Sequence, residues 1–330
     1  MVKVTVLGAG TWGIALARLL AVNGHQVTVW SAIPAELENL ERTGVHPNLP
    51  GMVLPKEIRY QPQIGPALEG SDLVLFAVPS VFVRSTAEKA KPYITSHQIL
   101  VDVAKGVETP TLLTMTGILR DVLGDTPAGI VALSGPTHAE EVSLDLPTAI
   151  VSACEDEEIA KKVQDIFMNN NFRVYTNTDV IGVEIGGALK NIMALCVGIS
   201  SGLGYGDNAK AALITRGNAE MARLGCAMGG QLTTFMGLAG LGDLVVTCTS
   251  RHSRNFRAGM LIGQGKTKEE AKAQVGMVVE GLNALDAALL LAEKYGVEMP
   301  IVTAADAVIN HGADGQEAVA MLMGRQRKAE

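Results

Sequence analysis

The sequence predicts an α/β domain built on a mostly parallel sheet over residues 1–179, followed by an all-helical domain over residues 180–330. Three observations carry this reading. Short apolar runs alternate with helical stretches through the first half, a glycine-rich turn joins the first run to the first helix, and the strand signal fades after residue 179. A chain of 330 residues is also more than one small core would need, so two domains are expected.

The elements follow in order. V-K-V-T-V-L (2–7) has the continuous apolar character of a strand buried on both faces, and G-A-G-T-W-G comes directly after it. Residues 13–23 give a helical pattern ended by Gly24, and V-T-V-W (27–30) makes the second strand of a βαβ unit. L-V-L-F-A-V (73–78), I-L-V-D-V-A (99–104) and I-V-A-L (130–133) continue the series, punctuated by Pro79, Gly106 and Gly135. P-T-A-I-V-S-A (147–153) and F-R-V-Y (172–175) flank the helical E-E-I-A-K-K-V-Q-D-I-F and read as a late addition to the same sheet. Later segments such as 211–224 and 284–295 are rich in Ala, Leu and Met at helical spacing.

Composition excludes several classes. The net charge of -7 gives no general attraction to nucleic-acid phosphates, so none is expected as a partner. The four cysteines (Cys154, Cys196, Cys226 and Cys248) form no C-x-x-C pair and read as reduced, buried thiols of a cytoplasmic protein. The six histidines show no metal-ligand spacing, so no metal is expected. Residues 180–200 are long enough to span a bilayer. Glu184, Lys190, Asn191 and four glycines within them favour a buried core helix, without membrane insertion. The start of the chain becomes strand-like at once and shows no export signal.

Gly8-x-Gly10-x-x-Gly13 lies between a strand and a helix, the context in which this pattern binds a dinucleotide. The first glycine permits the tight turn, the second admits the pyrophosphate, and the third lets helix pack on strand. An acid after the second strand would clasp the ribose of NAD and an arginine there would favour NADP. Trp30-Ser31-Ala32-Ile33 offers neither, so the choice of NAD or NADP stays open.

Lys105, just past the fourth apolar run, faces either solvent or the ligand crevice. Gly135-Pro136-Thr137 either exposes backbone N–H groups to a ligand or serves as a helix cap. Lys190 and Asn191 interrupt an apolar helical run in E-I-G-G-A-L-K-N-I-M-A-L. The lysine side chain leans back over Gly186 and Gly187, which suggests open space beneath it for a small ligand. A snorkelling lysine is the alternative. Burial would draw such an amine down from its ordinary value of about 10.4 and make it a general base for alcohol oxidation. Asp243, in G-L-A-G-L-G-D-L, can orient that lysine or accept substrate hydroxyls. Ser253-Arg254-Asn255 can form an anion clamp, or simply a basic surface loop.

These segments together resemble the bacterial-type NAD(P)-dependent glycerol-3-phosphate dehydrogenases: G-A-G-T-W-G, V-A-K-G-V-E, S-G-P-T-H-A-E-E, G-V-E-I-G-G-A-L-K-N, F-M-G-L-A-G-L-G-D-L-V-V-T-C-T, S-R-N and V-V-E-G. The resemblance implies that Lys190 accepts the proton. It implies that Lys105, Gly135, Thr137, Asp243, Ser253, Arg254 and Asn255 contact glycerol 3-phosphate or dihydroxyacetone phosphate, with Asn191 and Thr247 as neighbouring candidates. For the cofactor it implies contacts from Thr11, Trp12, Lys105, Ala139, Arg254, Val278 and Glu280 beside the three glycines. It further implies a cytoplasmic homodimer that supplies phospholipid precursors. Relatives often carry a basic residue where this chain has Ser31-Ala32, and an aromatic at Asn48. A lysine-dependent β-hydroxyacid dehydrogenase and a non-catalytic dinucleotide sensor are the competing readings.

Overall fold

The computed structural model describes residues 1–326. Contacts divide these into two units: Met1–Lys105 with Leu113–Glu184, and Gly106–Leu112 with the chain from Ile185 onward. The division falls inside a helix, five residues beyond the boundary read from the sequence, and residues 106–112 go with the second unit.

In the first unit, strands β1 (Lys3–Leu7), β2 (Gln26–Trp30), β3 (Arg59–Tyr60), β4 (Leu73–Phe76), β5 (Ile99–Asp102), β6 (Gly129–Ser134), β7 (Thr148–Ala153) and β8 (Phe172–Asn177) form one sheet. Its order is β3-β2-β1-β4-β5-β6-β7-β8. All neighbours run parallel except β6 and β7. The late strands therefore join the sheet as expected, but enter it reversed. The two-residue β3 was not legible from the pattern. Helices α1 (Thr11–Val22), α2 (Pro34–Thr43), α3 (Ile64–Leu68), α4 (Val83–Ala90), α5 (Met115–Leu123), α6 (Ala139–Val142) and α7 (Glu157–Phe167) connect the strands. Alternation along each strand feeds two cores: Val4 and Val6 pack with α1 and α7, while Leu7, Val74 and Phe76 pack with α4 and α5.

From residue 180 the structure is helical: α8 (Val180–Gly202), α9 (Asp207–Ala227), α10 (Leu232–Met236), a π-helical turn at Leu238–Gly242, α11 (Asp243–Thr249), α12 (Arg254–Gly263), α13 (Lys268–Val275), α14 (Glu280–Tyr295), α15 (Pro300–His311) and α16 (Gly315–Met323). By length and composition α8 could cross a membrane, yet 94% of its most apolar window is buried inside the protein. It is the core helix of the second unit. Near its start, Glu184 accepts a hydrogen bond from the Thr116 backbone N–H at 2.8 Å and another from the Thr116 hydroxyl. Burial pushes that carboxyl above the usual range.

Three of the cysteines, Cys154, Cys196 and Cys248, are buried as expected, but Cys226 is exposed. It lies on the last turn of α9, where the small-residue context gives no sign of which face meets solvent.

What seats α8 is a pair of glycine stripes. Gly198 and Gly202 face Gly259 and Gly263 of α12, and a methyl on any of the four would overlap backbone carbonyl oxygen of the other helix. Backbone meets backbone here, so the contact has no flexible side chain that could yield. Gly259→Ala is expected to destabilise the protein by more than about 2 kcal/mol, read as a lowered denaturant midpoint. An unchanged midpoint would show that the two helices can separate freely.

Candidate active site

The nucleotide-binding pattern of the first unit has the shape its chemistry needs. Gly8 takes φ +125° after β1, and its N–H donates to the Trp30 carbonyl at 2.8 Å, stitching the turn to the end of β2. A methyl at Gly8 would stand 2.6 Å from the Ala77 carbonyl oxygen beyond β4, and one at Gly13 would overlap the Gly8 carbonyl. Gly10 has nothing within 4 Å. The turn is crowded on its inner side and open on its outer side. Helix α1 begins there with no side chain capping its first N–H groups. A pyrophosphate fits this cradle, satisfying those donors and meeting the positive end of the helix. Thr11 and Trp12 lie half-buried in the first turn of α1, and the Asn48 amide donates to the Thr11 hydroxyl at 3.3 Å.

Further along the same sheet, Lys105 follows β5 and its Nζ donates to the Gly135 carbonyl at 3.1 Å. The Thr137 hydroxyl bonds the same carbonyl at 3.2 Å. Lys105, Gly135 and Thr137 therefore meet at the carboxyl ends of β5 and β6, where open α/β sheets bind ligands. Ala139 opens α6, which packs against α1.

In the second unit Lys190 is buried at 6% exposure and forms an ion pair with fully buried Asp243. Its Nζ also donates to the Thr247 hydroxyl at 2.7 Å, and that hydroxyl donates to the Asp243 carbonyl at 2.6 Å. A snorkelling lysine would have its head in water, so the structure removes that alternative. The space expected over Gly186 is filled. A methyl on Gly186 would come within 2.8 Å of the Ala239 carbonyl, because the Leu238–Gly242 turn packs directly on α8. The missing side chain at Gly186 serves helix packing, and through that packing it delivers Asp243 to Lys190. Cys248, further along α11, is buried, and that burial pushes its thiol up to about 12.

The N-terminal end of α12 carries Ser253, Arg254 and Asn255, the residues expected to form an anion clamp. The Ser253 hydroxyl caps it by accepting from the Phe256 N–H at 3.2 Å, and Arg254 stands half-buried at its first position. Asn255 donates to the Asn191 side-chain oxygen and accepts from the Gly281 N–H, each at 2.9 Å. This chain of amides joins α8, α12 and the start of α14, the helix that Glu280 opens; Val278 lies two residues before it. Among the expected residues of the second unit, Lys190, Asp243 and Thr247 form one network, and Asn191 and Asn255 form another that the Gly281 N–H completes.

A family model for the NAD-dependent glycerol-3-phosphate dehydrogenase N-terminus matches residues 3–160, and one for the C-terminus of the same enzymes matches residues 179–320. This chain belongs to that family. A glycerol-3-phosphate dehydrogenase (NAD(P)+) of Lactobacillus delbrueckii subsp. bulgaricus is 62% identical, covering 100% of this chain and 99% of its own. Another from Fusobacterium nucleatum is 50% identical over 100% of this chain and 99% of its own. The crystal structure of glycerol-3-phosphate dehydrogenase from Coxiella burnetii superposes with a TM-score of 0.93 at 38% identity, covering 98% of this chain and 99% of that one.

One functional candidate escaped the sequence reading. Glu36, in the first turn of α2, receives a 2.6 Å hydrogen bond from the Ser31 hydroxyl and so returns its carboxylate to the end of β2. The linear pattern stops at Ile33. Only the helix start at Pro34, with an acid two residues later, could have signalled a carboxylate folding back.

Because both members of the Lys190–Asp243 pair are buried, Asp243→Ala takes away the ammonium's carboxylate and is expected to lower stability by about 3–5 kcal/mol. The paired change Lys190→Met with Asp243→Leu regains most of that loss in denaturant unfolding. A single-variant loss below about 1 kcal/mol would mean that water reaches the pair.

Proposed function

We propose that this protein interconverts sn-glycerol 3-phosphate and dihydroxyacetone phosphate with NAD or NADP, and that Lys190 moves the proton. The buried Lys190–Asp243–Thr247 cluster carries this reading, since an amine held in place away from water is suited to acid and base work at a reacting oxygen. Family membership over nearly the whole chain supports the substrate and disfavours both a β-hydroxyacid dehydrogenase and a silent sensor.

When bound, the nicotinamide supplies the hydride acceptor or donor. In the oxidative direction Lys190 takes the proton of the C2 hydroxyl of glycerol 3-phosphate; in reduction its ammonium returns a proton to the C2 oxygen of dihydroxyacetone phosphate. Asp243 and Thr247 hold the amine on line and keep its lone pair or N–H aimed at that oxygen. Arg254, at the start of α12, holds the phosphate through its charge, beside the positive end of that helix. Asn255 and Asn191 keep that terminus in register with α8. Lys105, with Gly135 and Thr137, supplies further donors to the substrate and the nicotinamide end of the cofactor. Gly8, Gly10, Thr11, Trp12 and Gly13 hold the pyrophosphate, and Ala139, Val278 and Glu280 contribute further contacts.

The four free thiols fit a reducing, cytoplasmic setting, and the resemblance supports a homodimer that feeds phospholipid synthesis. Sedimentation at micromolar concentration distinguishes a dimer from a monomer.

Lys190→Ala is expected to lower kcat by about 100-fold or more while leaving cofactor binding near normal. Turnover within threefold of the unaltered protein would remove the proposed base. Arg254→Ala is expected to weaken phosphate-bearing substrates far more than glycerol itself, seen as a collapse of their kcat/KM ratio. Equal losses on both would place the phosphate elsewhere.

A further inference from the structure

Where the second strand ends, three separate parts of the chain converge on the glycine-rich turn. Gly8 donates to the carbonyl of Trp30, the last residue of β2, so Ser31 stands directly beside the turn. Ser31 is 5% exposed and its hydroxyl is fully committed: it accepts from the Ile33 N–H at 3.1 Å and donates to Glu36 at 2.6 Å. Glu36 is otherwise solvent-exposed, so the bond to Ser31, which uses one carboxylate oxygen, leaves the second open to solvent. The third part is the loop after α2. His46 is buried there, accepts from the Asn48 N–H at 3.2 Å on one ring nitrogen, and faces both the Ala9 backbone and the Glu36 carboxylate.

We propose that Glu36, held by Ser31, is a specificity-determining residue that grips the adenosine ribose as a diol and makes this enzyme selective for NAD over NADP. The proposal rests on the reading that the glycine-rich turn holds the cofactor. A carboxylate accepts two hydrogen bonds from the 2′- and 3′-hydroxyls of NAD, whereas a 2′-phosphate would bring nearly two negative charges against it. Among the described residues, no lysine or arginine is hydrogen-bonded or ion-paired to Glu36 to offset that repulsion. Residues 31–33 contain no lysine or arginine, and Arg42 at the far end of α2 bonds Asn39 instead. Burial holds the His46 ring below the usual histidine range, so it stays neutral near pH 7 and gives a phosphate no charge to pair with.

The test is a pair of binding titrations, NADH and NADPH, followed by the intrinsic fluorescence of the two tryptophans, Trp12 and Trp30, near pH 8 and requiring no turnover. The unaltered protein is expected to bind NADH at least about tenfold more tightly than NADPH. Glu36→Gln, which retains the hydrogen bond to Ser31 but loses the charge, is expected to bring the two affinities within about threefold. Ser31→Arg combined with Glu36→Gln is expected to reverse the preference. Equal affinities in the unaltered protein, or a ratio untouched by Glu36→Gln, would overturn the proposal. Gly10→Asp separates this outcome from failure of the underlying site. If that variant abolishes binding of both nucleotides while Glu36→Gln leaves their ratio alone, only the selectivity assignment fails. If Gly10→Asp changes neither affinity, the glycine-turn site itself is wrong.

Discussion

A buried ammonium and a buried carboxylate, Lys190 and Asp243, are the pair around which the helical unit is arranged. Neither charge is stable alone in such surroundings, because the desolvation penalty for an unpaired ion amounts to several kcal/mol. The fold must therefore bring two residues 53 positions apart into contact and keep them there. It does so with backbone rather than with side chains. Gly186 lets the Leu238–Gly242 turn settle on α8, and the glycine stripe further along the same helix locks α12 to it. Tight packing below the pair keeps it out of water.

The same economy shapes the nucleotide cradle. Gly8 and Gly13 are hemmed in by backbone on the inner side, and Gly10 is open on the outer side. One stretch of six residues thus joins β1 to α1, seats α1 on the sheet, and presents free N–H groups to an anion. The glycine-rich turn and the Lys190–Asp243 pair lie in different units, and each unit completes its own geometry with short hydrogen-bonded networks. Lys105 with Gly135 and Thr137 is one; Asn191 with Asn255 and Gly281 is another.

Much of this was legible in the order of residues. The strand series through residue 175, the glycine-rich turn, the helical second half and the identity of Lys190 and Asp243 all follow from periodicity, punctuation and residue type. Periodicity, however, records which positions are apolar and carries no direction. It could not tell that β7 enters the sheet antiparallel to β6, nor find β3, whose two residues are too few to show any period. The two glycines before Lys190 were read as room for a ligand, since sequence shows a missing side chain but not what fills the gap.

By itself, then, the sequence determined the class of each element, the residue types available for chemistry and the family to which the chain belongs, because those depend on local pattern and on composition. The tertiary structure alone decided which partners meet. Long-range contact set the ion pair of Lys190, the filling of the space at Gly186, the exposure of Cys226 and the return of Glu36 to Ser31. A hydrogen bond or a steric overlap depends on distances of a few ångströms between chain segments, and such distances exist only after the backbone has closed on itself.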